Sequence, residues 1–209
     1  MERPAQVPGS GKSAGRWLFE ALLIVVSVVL GFAVTQYRES RANRELAERV
    51  LKGLQTEIER NLALVEPQEA LHRRWLVALN TALDAEPRKG ETARDVFIAT
   101  WPDFKPTDIK APFPLPRRGA WDAALSTGAL RLIDYDVVAG LSEIYQWQQS
   151  LESAVERLPY SETTFFDPAS RTPSVLQLAF QINGIELTEG FLLDAYRRNL
   201  PAIRAAANR

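Results

Sequence analysis

The chain has 209 residues, a formal net charge of −1 and a hydrophobic fraction of 46%, which are ordinary values for a globular chain. Balanced charge excludes an overall basic character, so no nucleic-acid partner is expected. The absence of cysteine excludes disulfides and cysteine-ligated metals, and the single histidine, His72, removes most histidine-based metal and triad chemistry. We therefore expect no cofactor and no enzymatic activity.

The first sixteen residues are rich in Gly, Pro and Ser and predict a disordered tail over 1–16. Residues 9–13 read GSGKS, which is half of a phosphate-binding loop. The loop's first glycine, its preceding strand and its soluble helix are all missing from the sequence pattern. This segment therefore does not predict nucleotide binding.

Residues 17–37 predict a transmembrane helix. As a helix they rise roughly 31 Å at about 1.5 Å per residue, close to the thickness of a hydrocarbon core. Trp17 and Tyr37 stand at the two ends, where aromatic side chains favour the membrane interface. Arg16 and Arg38 flank them and can reach the lipid headgroups. The lipid bilayer is thus the first expected partner.

Two alternatives stay open for this segment. A cleaved signal peptide fits the small residues around Phe32, and a buried core helix fits the short uninterrupted run from Ala21 to Val34. An anchor is favoured because the helical pattern continues past Tyr37 without a break. Flanking charges favour the cytoplasm for the C-terminal side, whereas the short basic tail is typical of an N-in anchor. We expect the bacterial inner membrane, a single pass and an extracytoplasmic domain.

One stripe of the predicted anchor is a candidate helix-association face. Small residues spaced by four let two helices approach closely in lipid, and a carboxylate within a span is a functional hypothesis by default. The offsets of the flanking charges return them to nearly the same side of the helix. The face consists of Glu20, Ser27, Gly31, Thr35 and Arg38.

Beyond the anchor, residues 38–66 predict a long charged helix that continues the transmembrane helix. Its apolar residues recur every three or four positions and form one stripe that needs a partner; they are Leu46, Val50, Leu54, Ile58, Leu62 and Val65. Pro67 predicts a kink or break. The partner is either a later helix of the chain or a second copy of it.

Residues 67–209 predict a helical-bundle domain interrupted by a Pro-rich loop over 102–118. Helical periods recur over 68–84, 91–101, 120–125 and 135–158, with a turn at Thr127-Gly128 and a helix N-cap at Asp134. Beyond the loop predicted over 159–173, a helix ends near Gly184 and Thr188 caps a last helix. The pattern carries no strand alternation, so the fold class is all-α.

Four aromatic residues are candidates for a pocket or for the core, and helical spacing favours the core; they are Trp121, Tyr135, Tyr145 and Trp147. Glu69 and His72 have the spacing of a helical metal site, but a dinuclear site needs a second such element and two arginines adjoin the histidine. We therefore interpret His72 as a surface or boundary histidine and expect no metal.

Several short motifs follow one another along the chain: Glu20 with 22–27 in the anchor, Glu57 and Asn61 as an acidic-x-x-x-Asn element, then Trp121, Thr127 and Gly128, then Leu141, Ser142 and Tyr145. This order of motifs resembles a group of uncharacterised bacterial single-pass membrane proteins. The resemblance implies a membrane location and a helical domain, and it implies no known activity.

These observations predict a non-catalytic, membrane-anchored helical interaction or scaffold protein. Its partner is expected to be a second copy of the chain or another membrane protein. The alternative is an extracytoplasmic ligand-sensing domain that acts through a partner subunit, with the aromatic residues forming its pocket. A hydrolase that uses His72 is a third hypothesis, and it lacks the Gly-x-Ser-x-Gly turn that presents a nucleophilic serine.

Overall fold

The computed structural model describes residues 11–85, 95, 96, 99, 113–158 and 173–208. Those residues contain no strand, and they confirm the all-α fold class. The expected turn at 87–90, most of the expected helix over 91–101, residues 102–112 of the Pro-rich loop and the loop over 159–172 lie outside the described residues. The elements are α1 (Gly11–Asp84), α2 (Gly119–Ser126), the 3-10 helix η1 (Ala129–Leu132), α3 (Tyr135–Glu156) and α4 (Pro173–Ala207).

The chain divides into two compact units, Met1–Leu46 and Ala47–Arg209. The first unit contains the N-terminal part of α1, which begins at Gly11 and not at Trp17, so the expected disorder of 1–16 is wrong for its last six residues. Residues 1–10 lie outside the described part.

A stretch of α1 near the N-terminus is long and apolar enough to cross a membrane, and none of that stretch is buried. Its large apolar side chains all face solvent, from Trp17 to Tyr37. A buried core helix, the second alternative for this segment, would instead hide such side chains inside the fold.

Helix α1 runs through Pro67 to Asp84, so the expected kink or break at Pro67 did not separate two helices. Pro67 lacks the N–H that would bond the carbonyl four residues earlier. Its ring stands on the exposed side of the helix, where water can satisfy that carbonyl. Buried Val65 and Glu69 on either side hold the helix together through tertiary packing.

The second unit is a bundle of the C-terminal part of α1 with α3 and α4. Three ion pairs join α1 to α4: Glu59 with Arg204, Glu66 with Arg197 and Arg73 with Glu186. As the residue numbers rise along α1, those of the partners on α4 fall, so these two helices are antiparallel. Helices α3 and α4 are also antiparallel, and α1 and α3 therefore run in the same direction.

The core of this unit is one cluster that draws on α1, α2, α3 and α4. Leu54, Ile58 and Leu79 of the predicted α1 stripe and its continuation are completely buried. The stripe that needed a partner therefore has one within the same chain.

The C-terminal part of the fold is a single helix, so the expected stop at Gly184 and the cap at Thr188 are wrong. Ile182 and Ile185 are both completely buried, and their burial keeps α4 continuous across the glycine. The Thr188 hydroxyl donates to the Gly184 carbonyl at 2.7 Å, as a threonine inside a helix does.

Two glycines are required by the geometry. Gly128 has a φ of 66°, which confirms the expected turn after α2. At Gly140, where α3 meets α4, an added Cβ would lie 2.5 Å from Asn199 Oδ1. Asp134 caps α3 as expected, since its side chain accepts a hydrogen bond from the Asp136 N–H at 3.0 Å.

Candidate functional site

The best-organised polar site of the second unit is built around Glu57 of α1. Glu57 Oε2 accepts a hydrogen bond from the Ala120 N–H at 2.8 Å, and Oε1 accepts one from the Tyr145 hydroxyl at 2.7 Å. The residue before α2, Arg118, makes no side-chain cap of its own. Glu57 therefore caps α2 from a neighbouring helix, where a negative charge is stabilised by the helix dipole.

Asn61 lies one turn further along α1 and is buried. Its Nδ2 donates to the Arg117 carbonyl at 2.6 Å, and its Oδ1 accepts from the Arg117 N–H at 2.9 Å. The amide thus satisfies both backbone groups of a residue that belongs to no helix. Together, Glu57 and Asn61 attach the segment 113–120 to α1.

Two aromatic rings complete this site. Trp121 and Tyr145 are buried and stacked, with ring centroids 4.7 Å apart and an interplanar angle of 13°. Burial, followed by the hydrogen bond to Glu57, raises the pKa of Tyr145, which keeps its hydroxyl protonated as the donor. These two candidate aromatics therefore belong to the core and leave no open pocket between their faces.

The other two candidate aromatics lie elsewhere. Tyr135 is 82% exposed at the first residue of α3, so its expected place in a pocket or core is wrong. Trp147 is half-buried and stacks on Phe191 of α4, with centroids 4.9 Å apart. The four residues do not converge on one site.

A second polar cluster joins α3 to α4. Gln148 Nε2 donates to the buried Tyr196 hydroxyl at 2.8 Å. Burial is the main cause that raises the pKa of Tyr196, against the opposing effect of hydrogen bonds with Gln148 and Asn61. Within the described residues, Gln148 Oε1 is buried without a hydrogen-bond partner.

The single histidine is buried, which corrects the interpretation of His72 as a surface or boundary residue. His72 is 1% exposed, and its Nδ1 lies 2.8 Å from Glu189 Oε2 of α4. The rings of Trp75 and Phe113 contact its imidazole, at centroid distances of 5.3 Å and 4.7 Å. Its carboxylate partner lies on α4, more than one hundred residues away in the sequence, so the fold alone brings the two together.

Burial is the largest effect on Glu189 and raises its pKa, whereas the hydrogen bond with His72 lowers it. Glu69, the other half of the metal-like spacing, contacts Arg73. Among the residues that the structure describes, no three His, Cys, Asp or Glu side chains gather as ligands for a metal ion.

The candidate association face of the first unit is exposed throughout. Glu20 pairs with Arg16 at 3.1 Å, whereas Ser27 and Thr35 donate to the carbonyls of Leu23 and Gly31. The hydroxyls are thus satisfied within their own helix. An added Cβ at Gly31 would meet no atom within 4 Å.

An exposed apolar stripe on α4 was missed by the sequence reasoning. Leu176, Phe180, Leu187 and Phe191 are at least half exposed and fall on one side of the helix. A surface groove of about 830 Å³ between α3 and α4 adjoins the stripe and is lined largely by glutamine and serine. The stripe is visible in the sequence once α4 is read as continuous, because ending a helix at Gly184 divides it in two.

Four of the motif residues of the second unit come together in space and form the site described above: Glu57, Asn61, Trp121 and Tyr145. Comparison with protein-family models, with curated proteins and with solved structures gives no match for this chain.

Proposed function

We propose that this chain is a single-pass membrane-anchored protein of the bacterial inner membrane whose helical unit is a non-catalytic interaction module that pairs with a second copy. The extracytoplasmic side is the proposed location of that unit. The observation that supports self-association most directly is the exposed stripe on α4.

The anchor is supported by the wholly exposed apolar stretch of α1. Exposed apolar side chains from Leu22 to Val34 are costly in water and favourable in lipid. Differential centrifugation with carbonate washing tests this location. Recovery of the full-length, unprocessed chain in a detergent-free supernatant contradicts it, and intact-mass analysis separates an anchor from a cleaved signal peptide.

A second copy is favoured as the partner because the stripe is nearly palindromic. Reversing α4 about the midpoint of Asn183 and Gly184 places Phe180 opposite Leu187, and Leu176 opposite Phe191. A two-fold dimer interface requires this self-complementarity, since each residue meets its counterpart twice. Gly184 at the centre lets two such helices approach closely.

The area of the stripe fits a modest dimer. Its four side chains present roughly 400 Å² of apolar surface per copy if each fully exposed chain presents about 150–200 Å². A stable interface buries about 800 Å² per partner, so the neighbouring groove between α3 and α4 must also contribute.

Because the chain has no cysteine, single-cysteine crosslinking gives a clean test. Gly184→Cys, where an added Cβ meets no atom within 4 Å, should form a disulfide dimer in native membranes under mild oxidation. Leu125→Cys is the matched control, since Leu125 is 51% exposed on α2 and outside the stripe. Equal crosslinking of the two variants, or none at Gly184→Cys, contradicts pairing through α4.

The ligand-sensing alternative is favoured by the groove of about 830 Å³ between α3 and α4, which is large enough for a small ligand. Its glutamine and serine lining suits a polar ligand. A thermal-shift screen with sugars, amino acids and nucleotides discriminates, because a non-sensing module is stabilised by none of them.

A further inference from the structure

A basic groove lies on the surface of the second unit, beside the Glu57 site. It has a volume of about 430 Å³ and lies between α1 and the start of α2. Its basic residues are Lys52 and Arg60 of α1 and Arg117 of the segment before α2. Gly53 and Ala120 keep its floor open, because neither carries a long side chain.

Glu57 is the only carboxylate among the lining residues, and it is already hydrogen-bonded within the protein. Both oxygens of Glu57 accept hydrogen bonds, from the Ala120 N–H and from the Tyr145 hydroxyl. The Thr56 hydroxyl is also engaged, since it donates to the Lys52 carbonyl at 2.8 Å. The negative charge of Glu57 is therefore balanced by the helix it caps, and the groove keeps an excess of positive charge.

The three cations of the groove differ from five other arginines of this unit. Arg73, Arg118, Arg197, Arg198 and Arg204 each pair with a carboxylate. Within the described ranges, no carboxylate forms an ion pair with Lys52, Arg60 or Arg117, although all three are exposed. Arg117 is also held at its backbone by Asn61, so the start of its side chain is fixed.

We propose that this groove binds a phosphate group. Guanidinium groups match phosphate oxygens in a bidentate geometry, and a lysine ammonium adds a point charge. Three cations around one concave surface, with no ion-pair partner among the described residues, favour a multiply charged oxyanion over a single carboxylate. The same chemistry is offered by a phospholipid headgroup and by a soluble phosphate ester.

Thermal stability and native mass spectrometry of the full-length chain in neutral detergent test the proposal with two probes, phosphatidylglycerol and inorganic phosphate. Phosphatidylcholine, which carries no net charge, is the reference lipid. Stabilisation by the anionic lipid alone assigns the headgroup as the source, and stabilisation by inorganic phosphate assigns a soluble ligand. Absence of both effects overturns the proposal.

The variant that tests the site combines Lys52→Gln, Arg60→Gln and Arg117→Gln. Its apparent affinity for the probe should fall by about tenfold or more, because three charge-assisted contacts are lost together. The matched control combines Arg74→Gln, Arg131→Gln and Arg157→Gln, which removes the same charge outside the groove. An equal loss in the control shows general charge attraction and overturns the site.

The backbone hydrogen bonds of Arg117 are preserved in the variant, so we expect it to fold. Arg60→Lys, which retains the charge, gives a second check and should keep most of the binding. Binding by the triple variant at the affinity of the unchanged chain also overturns the proposal.

Discussion

Helix α1 contains two regions that differ in where their apolar side chains lie. From Trp17 to Tyr37 apolar side chains surround the helix and all are exposed, whereas from Leu51 to Leu79 they form one buried stripe. In the second region, hydrogen bonds from Glu57 and Asn61 tie the helix to distant parts of the chain. In the first, Glu20 pairs with Arg16, which lies one turn away on the same helix. An all-round apolar surface requires an apolar solvent, and a stripe requires a neighbouring helix.

The largest expected difference between the two regions concerns matched leucines. Leu54→Ala should lower the free energy of unfolding of the second unit by about 2–5 kcal/mol, since Leu54 is fully buried. Leu23→Ala, at a side chain 50% exposed, should leave that free energy unchanged. Denaturant unfolding in detergent, followed by tryptophan fluorescence, measures both. Equal destabilisation would contradict the distinction.

A charge in the middle of the first region should have the reverse effect. Val26→Asp should displace the chain from membranes, because an acidic residue at the centre of a span costs about 3 kcal/mol. Val26→Leu is the control and should remain in the membrane fraction. Carbonate extraction reads out the location, and retention of Val26→Asp would count against a spanning helix.

The hydrogen bonds of Glu57 should contribute nearly as much to the free energy of unfolding as a buried apolar side chain does. Glu57→Ala leaves the Ala120 N–H and the Tyr145 hydroxyl without their acceptor, which should cost about 2–3 kcal/mol. Glu48→Ala, an exposed change on the same helix, should stay within about 0.5 kcal/mol. Tyr145→Phe, tested alone and with Glu57→Ala, isolates the coupling between the two groups.

The buried pair of His72 and Glu189 predicts a pH dependence confined to the second unit. Burial raises the pKa of Glu189 above its ordinary value of 4.5, so the folded state holds this proton more tightly than the unfolded state. The contribution of Glu189 to stability is therefore complete below pH 4.5 and is lost as pH rises through the folded pKa. Glu69 and Glu186 act in the same direction, and His72 opposes them.

The stability of the unchanged chain minus that of Glu189→Gln should thus fall as pH rises above 4.5. Measuring unfolding of both proteins across the acidic to neutral range checks this sign. A difference that is flat or rises with pH would contradict the raised pKa of Glu189.

The smallest expected effect is that of an exposed ion pair in the first unit. Arg41 and Glu45 are 3.0 Å apart with side chains more than half exposed. Arg41→Ala should change stability by less than about 0.5 kcal/mol, since solvent and salt screen such pairs. The same unfolding experiment detects a larger change, which would indicate a partner for this surface.

Much of the fold could be predicted from local patterns. The all-α class, the α1 stripe, the turn at Gly128 and the cap at Asp134 follow from periodicity and from the backbone preferences of single residues. The helix stop expected at Gly184 was wrong, and the kink or break expected at Pro67 did not divide α1, because local preference costs only about 1–3 kcal/mol. Burial of neighbouring residues on the same helices outweighs that cost.

The candidate site could be predicted only as a set of disconnected motifs. Glu57 and Asn61 share a helical face at a spacing visible in the sequence, but their partners lie more than fifty residues away. The burial of His72 against Glu189 and the exposure of Tyr135 depend likewise on how α1, α3 and α4 pack.

The sequence alone therefore determined which segments are helical and which stretch is apolar all round, because these properties depend on residues within a few turns of each other. Only the tertiary structure decided which polar groups are paired, which aromatics are buried and which face of α4 stays open. Those outcomes depend on contacts between distant residues, whose energies no local pattern contains.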